Sequence, residues 1–167
     1  KAIESLLAGK EMVFDNAQLQ AEFYQYLGDA YHAKKEHVKS DESYDRSLEF
    51  NRYNPYVLNN YSYYLSQRKE KLALAETMAK EANNQVPDSP NFIDTYGWVL
   101  FLKGNFQEAE TLLKKAISLS ASPNGTILEH FGDVLFKLNK IEEAIISWQK
   151  AKETGGASQL IEEKILK

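Results

Sequence analysis

The chain has 167 residues with a formal net charge of −4, and 43% of its residues are hydrophobic and 26% charged, the composition of one folded domain and not of a disordered tail. Its Lys and Arg residues are scattered, which together with the acidic balance argues against a nucleic-acid-binding surface, and the absence of cysteine excludes disulfides, thiolate metal sites and a cysteine nucleophile. The longest apolar run, residues 98–102, is stopped by Lys103, far short of the roughly 18 residues a membrane helix needs.

In chain order, residues 1–14 contain "AIESLLAG", which reads as a helix closing at Gly9 and as the end of a preceding helical repeat. The chain then repeats itself. "FYQYLGDAYH", "VLNNYSYYLS", "FIDTYGWVLF" and "ILEHFGDVLF" align with Gly28, Ser62, Gly97 and Gly132 in one column. Each block is followed by a second: "SDESYDRSL", "ALAETMAKEA", "AETLLKKAI" and "AIISWQKAK". The second blocks align through Ser40, Ala75, Ala109 and Ala144, and seven places later through Ser47, Ala82, Ala116 and Ala151. Turn residues separate the units at Asn54-Pro55, Ser89-Pro90 and Asn124-Gly125.

Ile93, Tyr96 and Leu100 recur at i, i+3 and i+7, with Gly97 on the same face, and Ala109, Leu113 and Ala116 recur at i, i+4 and i+7. Both are helical spacings. Each unit is therefore two amphipathic helices joined by a short turn such as Lys103-Gly104-Asn105. A glycine inside a helix costs about 1 kcal/mol relative to alanine. Gly97 is expected to offset this by letting its partner helix approach closely, opposite Ala109 and Ala116. Helix pairs this short bury their apolar stripes only by stacking on one another, which gives a solenoid. After Gly155-Gly156, "ASQLIEEKILK" reads as a final helix over 157–167, with Ser158 as N-cap and Leu160, Ile161 and Ile165 on its apolar side, covering the last unit.

The pattern W-x2-L-G-x2-Y followed by A-x3-F at a 34-residue period defines the tetratricopeptide repeat, and this chain resembles four of them. The tryptophan column holds Tyr24, Leu58, Ile93 and Leu128; the leucine column holds Leu27, Tyr61, Tyr96 and Phe131. The tyrosine column holds Tyr31, Leu65, Leu100 and Leu135, and the bulky column of the second helix holds Tyr44, Ala79, Leu113 and Trp148. Repeat two departs by Ser62 in the glycine column and by a one-residue insertion near Glu70. The resemblance implies an all-α, right-handed α-solenoid with repeats over 21–54, 55–89, 90–124 and 125–154.

Chemistry is sparse. His32, His37 and His130 sit in no motif and read as solvated side chains; the four-residue spacing of His32 and Glu36 would put them on one face of a continuous helix, but two ligands do not make a zinc site. Glu42, Glu108 and Glu110, and Glu142 and Glu143, are expected where repeat helices begin, complementing the helix dipole. "ETGGAS" lacks the strand and lysine of a phosphate loop and reads as a helix stop and linker. No serine or threonine has a base beside it in sequence. No catalytic residue, cofactor or metal is assigned, and the chain is expected not to be an enzyme.

A second stripe on the first helix of each repeat lies about 100° from the core stripe. It comprises Gln25, Asp29 and His32; Asn59, Tyr63 and Ser66; Asp94, Trp98 and Phe101; and Glu129, Asp133 and Phe136. The family resemblance implies that this face lines a concave groove that holds segments of partner proteins, with Tyr56, Asn60, Asn91 and His130 nearby. The alternative is that Trp98 and Phe101 pack against the next repeat. Chaperone adaptors of the family clamp a partner's C-terminal carboxylate with Lys, Arg and Asn, whereas these columns contain no Lys or Arg, so an apolar or basic partner segment is expected. Self-association of the repeats and a regulatory role within a larger protein are the alternatives. "LNNYSYYLSQR" and "DTYGWVLFLKG" resemble bacterial tetratricopeptide proteins, many of them exported, which points to the periplasm or cell envelope over the cytoplasm.

Overall fold

Helix ends, more than helix centres, show how the sequence sets its register. The computed structural model describes residues 2–8 and 15–166, and among these are ten helices and no strand. They are α1 (Ala2–Ala8), α2 (Ala17–Ala33), α3 (His37–Phe50), α4 (Pro55–Arg68), α5 (Leu72–Gln85), α6 (Pro90–Leu102), α7 (Phe106–Leu119), α8 (Gly125–Lys137), α9 (Ile141–Thr154) and α10 (Ile161–Ile165). The expected stop at Gly9 lies outside the described residues. Asn54 and Asn124 cap α4 and α8, their side chains accepting from Val57 N–H at 3.3 Å and Ile127 N–H at 3.0 Å, with Pro55 preset for the first helical turn.

Within each pair the turn repeats the same bond. The backbone N–H groups of Glu36, Glu70, Asn105 and Lys140 donate to the carbonyls of Tyr31, Leu65, Leu100 and Leu135 at 2.9–3.0 Å. These acceptors are the tyrosine column. The bond requires a left-handed residue just before the donor, supplied by Lys35, Lys69, Gly104 and Asn139. The extra residue of repeat two is absorbed by a second left-handed position, Lys71, immediately before α5.

Pairs α2–α3, α4–α5, α6–α7 and α8–α9 pack antiparallel and stack in order, α5 on α6 and α7 on α8, while α4, α6 and α8 also touch along one side. All eight small-column residues are fully buried. Where the first pair has serines instead of alanines, their hydroxyls donate to the facing helix, Ser40 to Gly28 O at 2.9 Å and Ser47 to Ala21 O at 2.7 Å, so neither of these two buried hydroxyls is left unpaired.

The glycine column makes a different contact from the one expected. A β-carbon on Gly97 would meet Leu113 first, at 3.1 Å, and Leu112 at 3.4 Å, both nearer than Ala109 or Ala116. At Gly28 it would lie 3.0 Å from the Tyr44 ring, and at Gly132 it would collide with the Trp148 indole. Glycine thus makes room for the bulky column. Repeat two reverses the sizes in the same register, with Ser62 in the glycine column and Ala79 in the bulky one, and the Ser62 hydroxyl reaches Ala75 O at 2.7 Å.

Two further expectations change. The first turn of α3 carries no acid, so Glu42 does not meet the helix dipole, whereas Glu108, Glu142 and Glu143 do. Glu110 instead accepts from Lys114 at 2.9 Å and from Lys140 at 2.6 Å, tying α7 to the following pair. These two ammonium groups hold its carboxyl below the usual range. Leu160, not Ser158, is the N-cap of α10.

Candidate functional site

The first helices carry the twelve stripe residues, and the solenoid divides them. On α2, Gln25 accepts from Asn54 Nδ2 at 3.4 Å. Asp29 takes the Tyr44 hydroxyl, and the Tyr64 hydroxyl at 3.4 Å. His32 lies flat on Tyr64, with ring centroids 3.5 Å apart. All three are half-buried and join the first pair to α4. Burial, reinforced by the charges of His37 and Arg68, lowers the His32 pKa below its ordinary value.

On α4, Asn59 and Ser66 are buried, and the Ser66 hydroxyl donates to Tyr63 O at 2.7 Å. Tyr63 is half-buried, and burial raises its hydroxyl pKa. On α6, Trp98 stacks on His130 of α8 at 4.0 Å and on Phe101 at 4.8 Å. Phe101 continues to Phe106. Buried Asp94 lies 2.9 Å from His130 Nδ1. His32 and His130 are therefore not the solvated groups the sequence implied, because flat stacking removes one face of each from water.

On α8, Glu129 is 6% exposed and accepts three bonds: from Ser158 N–H, Ser158 Oγ and Lys164 Nζ, each at 2.6 Å. Asp133 accepts from Lys164 Nζ at 2.7 Å and Trp148 Nε1 at 3.1 Å. Burial pushes both carboxyls up. At Glu129 the bonds from Lys164 and Ser158 outweigh burial and the pKa falls below its ordinary value, whereas at Asp133 burial prevails and the pKa rises. Phe136 packs against Trp148 at 5.6 Å.

Between these helices lies a groove of about 480 Å³. Of the expected residues, Tyr63, Ser66, Trp98, Glu129 and Asp133 line it, joined by His130. A smaller adjoining recess of about 220 Å³ takes in Asn59, Asp94 and Asn91 beside Tyr63. Gln25, Asp29, His32, Phe101 and Phe136 line neither. Tyr56 is exposed and meets Phe92 edge-on, while Asn60 accepts from Asn59 at 3.4 Å.

Sequence reasoning missed Lys69 and Lys164, both of which line the groove. Lys69 comes from the turn after α4 and Lys164 from α10, so neither falls in a repeat column. The expected acidic setting is corrected accordingly: Glu129 and Asp133 already hold an ammonium group, and Asp94 holds His130. Among the described residues no three histidine, aspartate or glutamate side chains group as a metal site, and no helix is long and apolar enough to cross a membrane.

Residues 94–123 match the family model described as tetratricopeptide repeat. A TPR repeat-containing protein of Pseudomonas aeruginosa is 29% identical over 80 residues, 48% of this chain; the match spans 13% of that protein's length. Among solved structures, PilW, described as a widely conserved type IV pilus biogenesis factor, superposes with a TM-score of 0.77 at 17% identity over 93% of this chain and 73% of its own. MamA from Desulfovibrio magneticus RS-1 gives 0.76 at 15% identity over 90% and 84%. PilF of Pseudomonas aeruginosa gives 0.72 at 19% over 94% and 76%. These likenesses show the fold, an all-helical tetratricopeptide-type solenoid resembling bacterial proteins.

Proposed function

We propose, on the tetratricopeptide fold shared with these proteins, that the chain is a non-enzymatic scaffold whose groove along α4, α6 and α8 holds an extended or helical segment of a partner protein. The division into repeats over 21–54, 55–89, 90–124 and 125–154, with a closing element over 157–167, is part of this reading. One observation carries it: a single groove brings Tyr63, Trp98 and His130 together from three successive helix pairs. Large, half-buried aromatics in a preformed depression are the residues that concentrate binding energy. Tyr63 and Trp98 serve as apolar anchors, and a basic side chain of the partner reaches Glu129 and Asp133 only by displacing Lys164.

The other stripe residues have subsidiary parts in this reading. Asn59 and Asp94 border the adjoining recess, and Gln25, Asp29, His32, Phe101 and Phe136 brace the helices that form the walls. The similarity to PilW, a pilus biogenesis factor, supports a place at a bacterial cell envelope. Selection of peptides on the intact chain, followed by substitution of Trp98 and Tyr63, tests the reading directly.

Self-association is a second reading, favoured by Tyr26, Tyr53 and Tyr56, each more than half exposed on the first two pairs. Sedimentation of the chain at tens of micromolar decides it: a monomer removes it, and a concentration-dependent dimer lost on Tyr53→Ser supports it.

A further inference from the structure

We infer that residues 157–166 form a strap that closes the last-repeat end of the groove in cis, and that a partner segment entering the groove competes with it. The inference rests on the groove reading above and adds a regulatory contact to it. Glu129 receives its three donors from this one segment, the backbone and hydroxyl of Ser158 and the ammonium of Lys164. The same ammonium bridges to Asp133 one turn further along α8. A buried carboxylate deprived of its donors is strongly disfavoured. The end of the groove therefore requires an occupant that offers a backbone N–H, a hydroxyl and a cation, and the chain supplies its own.

The segment is also a wall of the cavity. Ser158 and Lys164 line it together with Tyr63 and Trp98, so an incoming chain that bonds to Glu129 must displace the strap's donors. Its root is fixed: Gly125 N–H donates to Gly155 O at 3.0 Å and the Thr126 hydroxyl to Gly156 O at 2.9 Å. Gly155 and Gly156 have φ of +83° and +84°, open to glycine and strained for other residues. Beyond them the strap is short and mostly exposed. α10 has five residues, Ser158, Gln159 and Leu160 are exposed, and the strap's apolar hold on the core is buried Ile161 with partly buried Ala157 and Ile165. A short terminal element with one buried residue belongs to the low-stability end of a fold. Its tether gives it a high effective concentration over any free segment.

The test uses the 167-residue chain, labelled with 15N, as wild type, Lys164→Gln and Lys164→Arg, and as probe the synthetic acetylated, amidated peptide of residues 157–166 added in trans. Trp98 and Trp148 are the two tryptophans of the chain. Trp98 stands in the groove and Trp148 donates to Asp133, so their indole resonances report the cavity and the strap contact separately. In Lys164→Gln the Ser158 amide is expected to exchange at least tenfold faster while the amides of α4 to α9 are unchanged. The peptide should then bind at least tenfold more tightly than to wild type, moving both indole signals, and Lys164→Arg should behave as wild type. Unchanged Ser158 exchange in Lys164→Gln overturns the strap, as does equal peptide affinity for the two proteins, including no binding to either. Failure of the groove reading looks different: partner peptides then bind equally to wild type and Trp98→Ala, whatever Ser158 does.

Discussion

His130 lies flat on the indole of Trp98, centroids 4.0 Å apart and planes 11° apart, while its Nδ1 stands 2.9 Å from the buried carboxylate of Asp94. One imidazole thus joins α6 to α8 by a stack and a polar contact. It also covers one face of the tryptophan that heads the groove. An aromatic stack contributes about 0.5–1.5 kcal/mol, and a buried acceptor left unpaired costs about 1–3 kcal/mol. His130→Ala is expected to destabilise the chain by about 2 kcal/mol in urea unfolding, whereas a loss below about 0.5 kcal/mol, the range of ordinary surface substitutions, would show that the joint does not depend on it.

The glycine column gives a graded prediction. Alanine at Gly97 gains helix propensity of about 1 kcal/mol against a tight but yielding contact with Leu113. Gly97→Ala should therefore be close to neutral. At Gly132 the new methyl meets the Trp148 ring, which is buried and bonded to Asp133. Overpacking of this kind costs about 1–3 kcal/mol, so Gly132→Ala should be the more destabilising of the two. Thermal unfolding of both variants in parallel checks the order, and equal midpoints would contradict it.

Lys35 turns the chain from α2 to α3 in the left-handed region, at φ +61°, where Gly104 serves the third pair. A side chain there costs about 1–2 kcal/mol, partly returned by the greater freedom glycine has when unfolded. Lys35→Gly is expected to stabilise the chain by about 0.5–1 kcal/mol. A denaturant midpoint that falls instead would mean that Lys35 makes a contribution of its own to the turn.

Acid should loosen the first joint. Burial, with the neighbouring positive charges of His37 and Arg68, lowers the folded-state pKa of His32 from 6.5. The unfolded chain then binds more protons than the folded one as pH falls below 6.5. The stability this neutral imidazole contributes is present above 6.5 and is lost as pH falls through the folded value. His32→Phe keeps a ring against Tyr64 and removes the titration. Its stability should decline less between pH 7 and pH 5 than that of wild type, and identical slopes would place the dependence elsewhere.

Repeat periodicity made the architecture readable because it is written in residues that each repeat must satisfy for itself. The tyrosine column marks the carbonyls that close every intra-pair turn, and the small columns mark where helices meet most closely. What faces each glycine was not readable from one repeat. It is set between opposite helices, where Gly28 meets Tyr44, Gly97 meets Leu113 and Gly132 meets Trp148. The groove was legible where its residues fall in a repeat column, as Tyr63, Trp98, Glu129 and Asp133 do. Its charge was not, because Lys69 enters from a turn and Lys164 from beyond the last repeat, where no period constrains position. The stacking of His32 and His130 is hidden for a related reason: their partners, Tyr64 and Trp98, stand on adjacent repeats 32 residues away, a distance at which sequence shows spacing but not contact.

The most direct measurement is the affinity of peptides, selected from a displayed random library on the intact chain, for wild type, Trp98→Ala and Tyr63→Ala, with helix content checked by circular dichroism. The groove reading requires saturable binding to wild type that weakens at least tenfold, or about 1.4 kcal/mol, in each folded variant. Failure to enrich any peptide, or equal affinity across the three proteins, would contradict it.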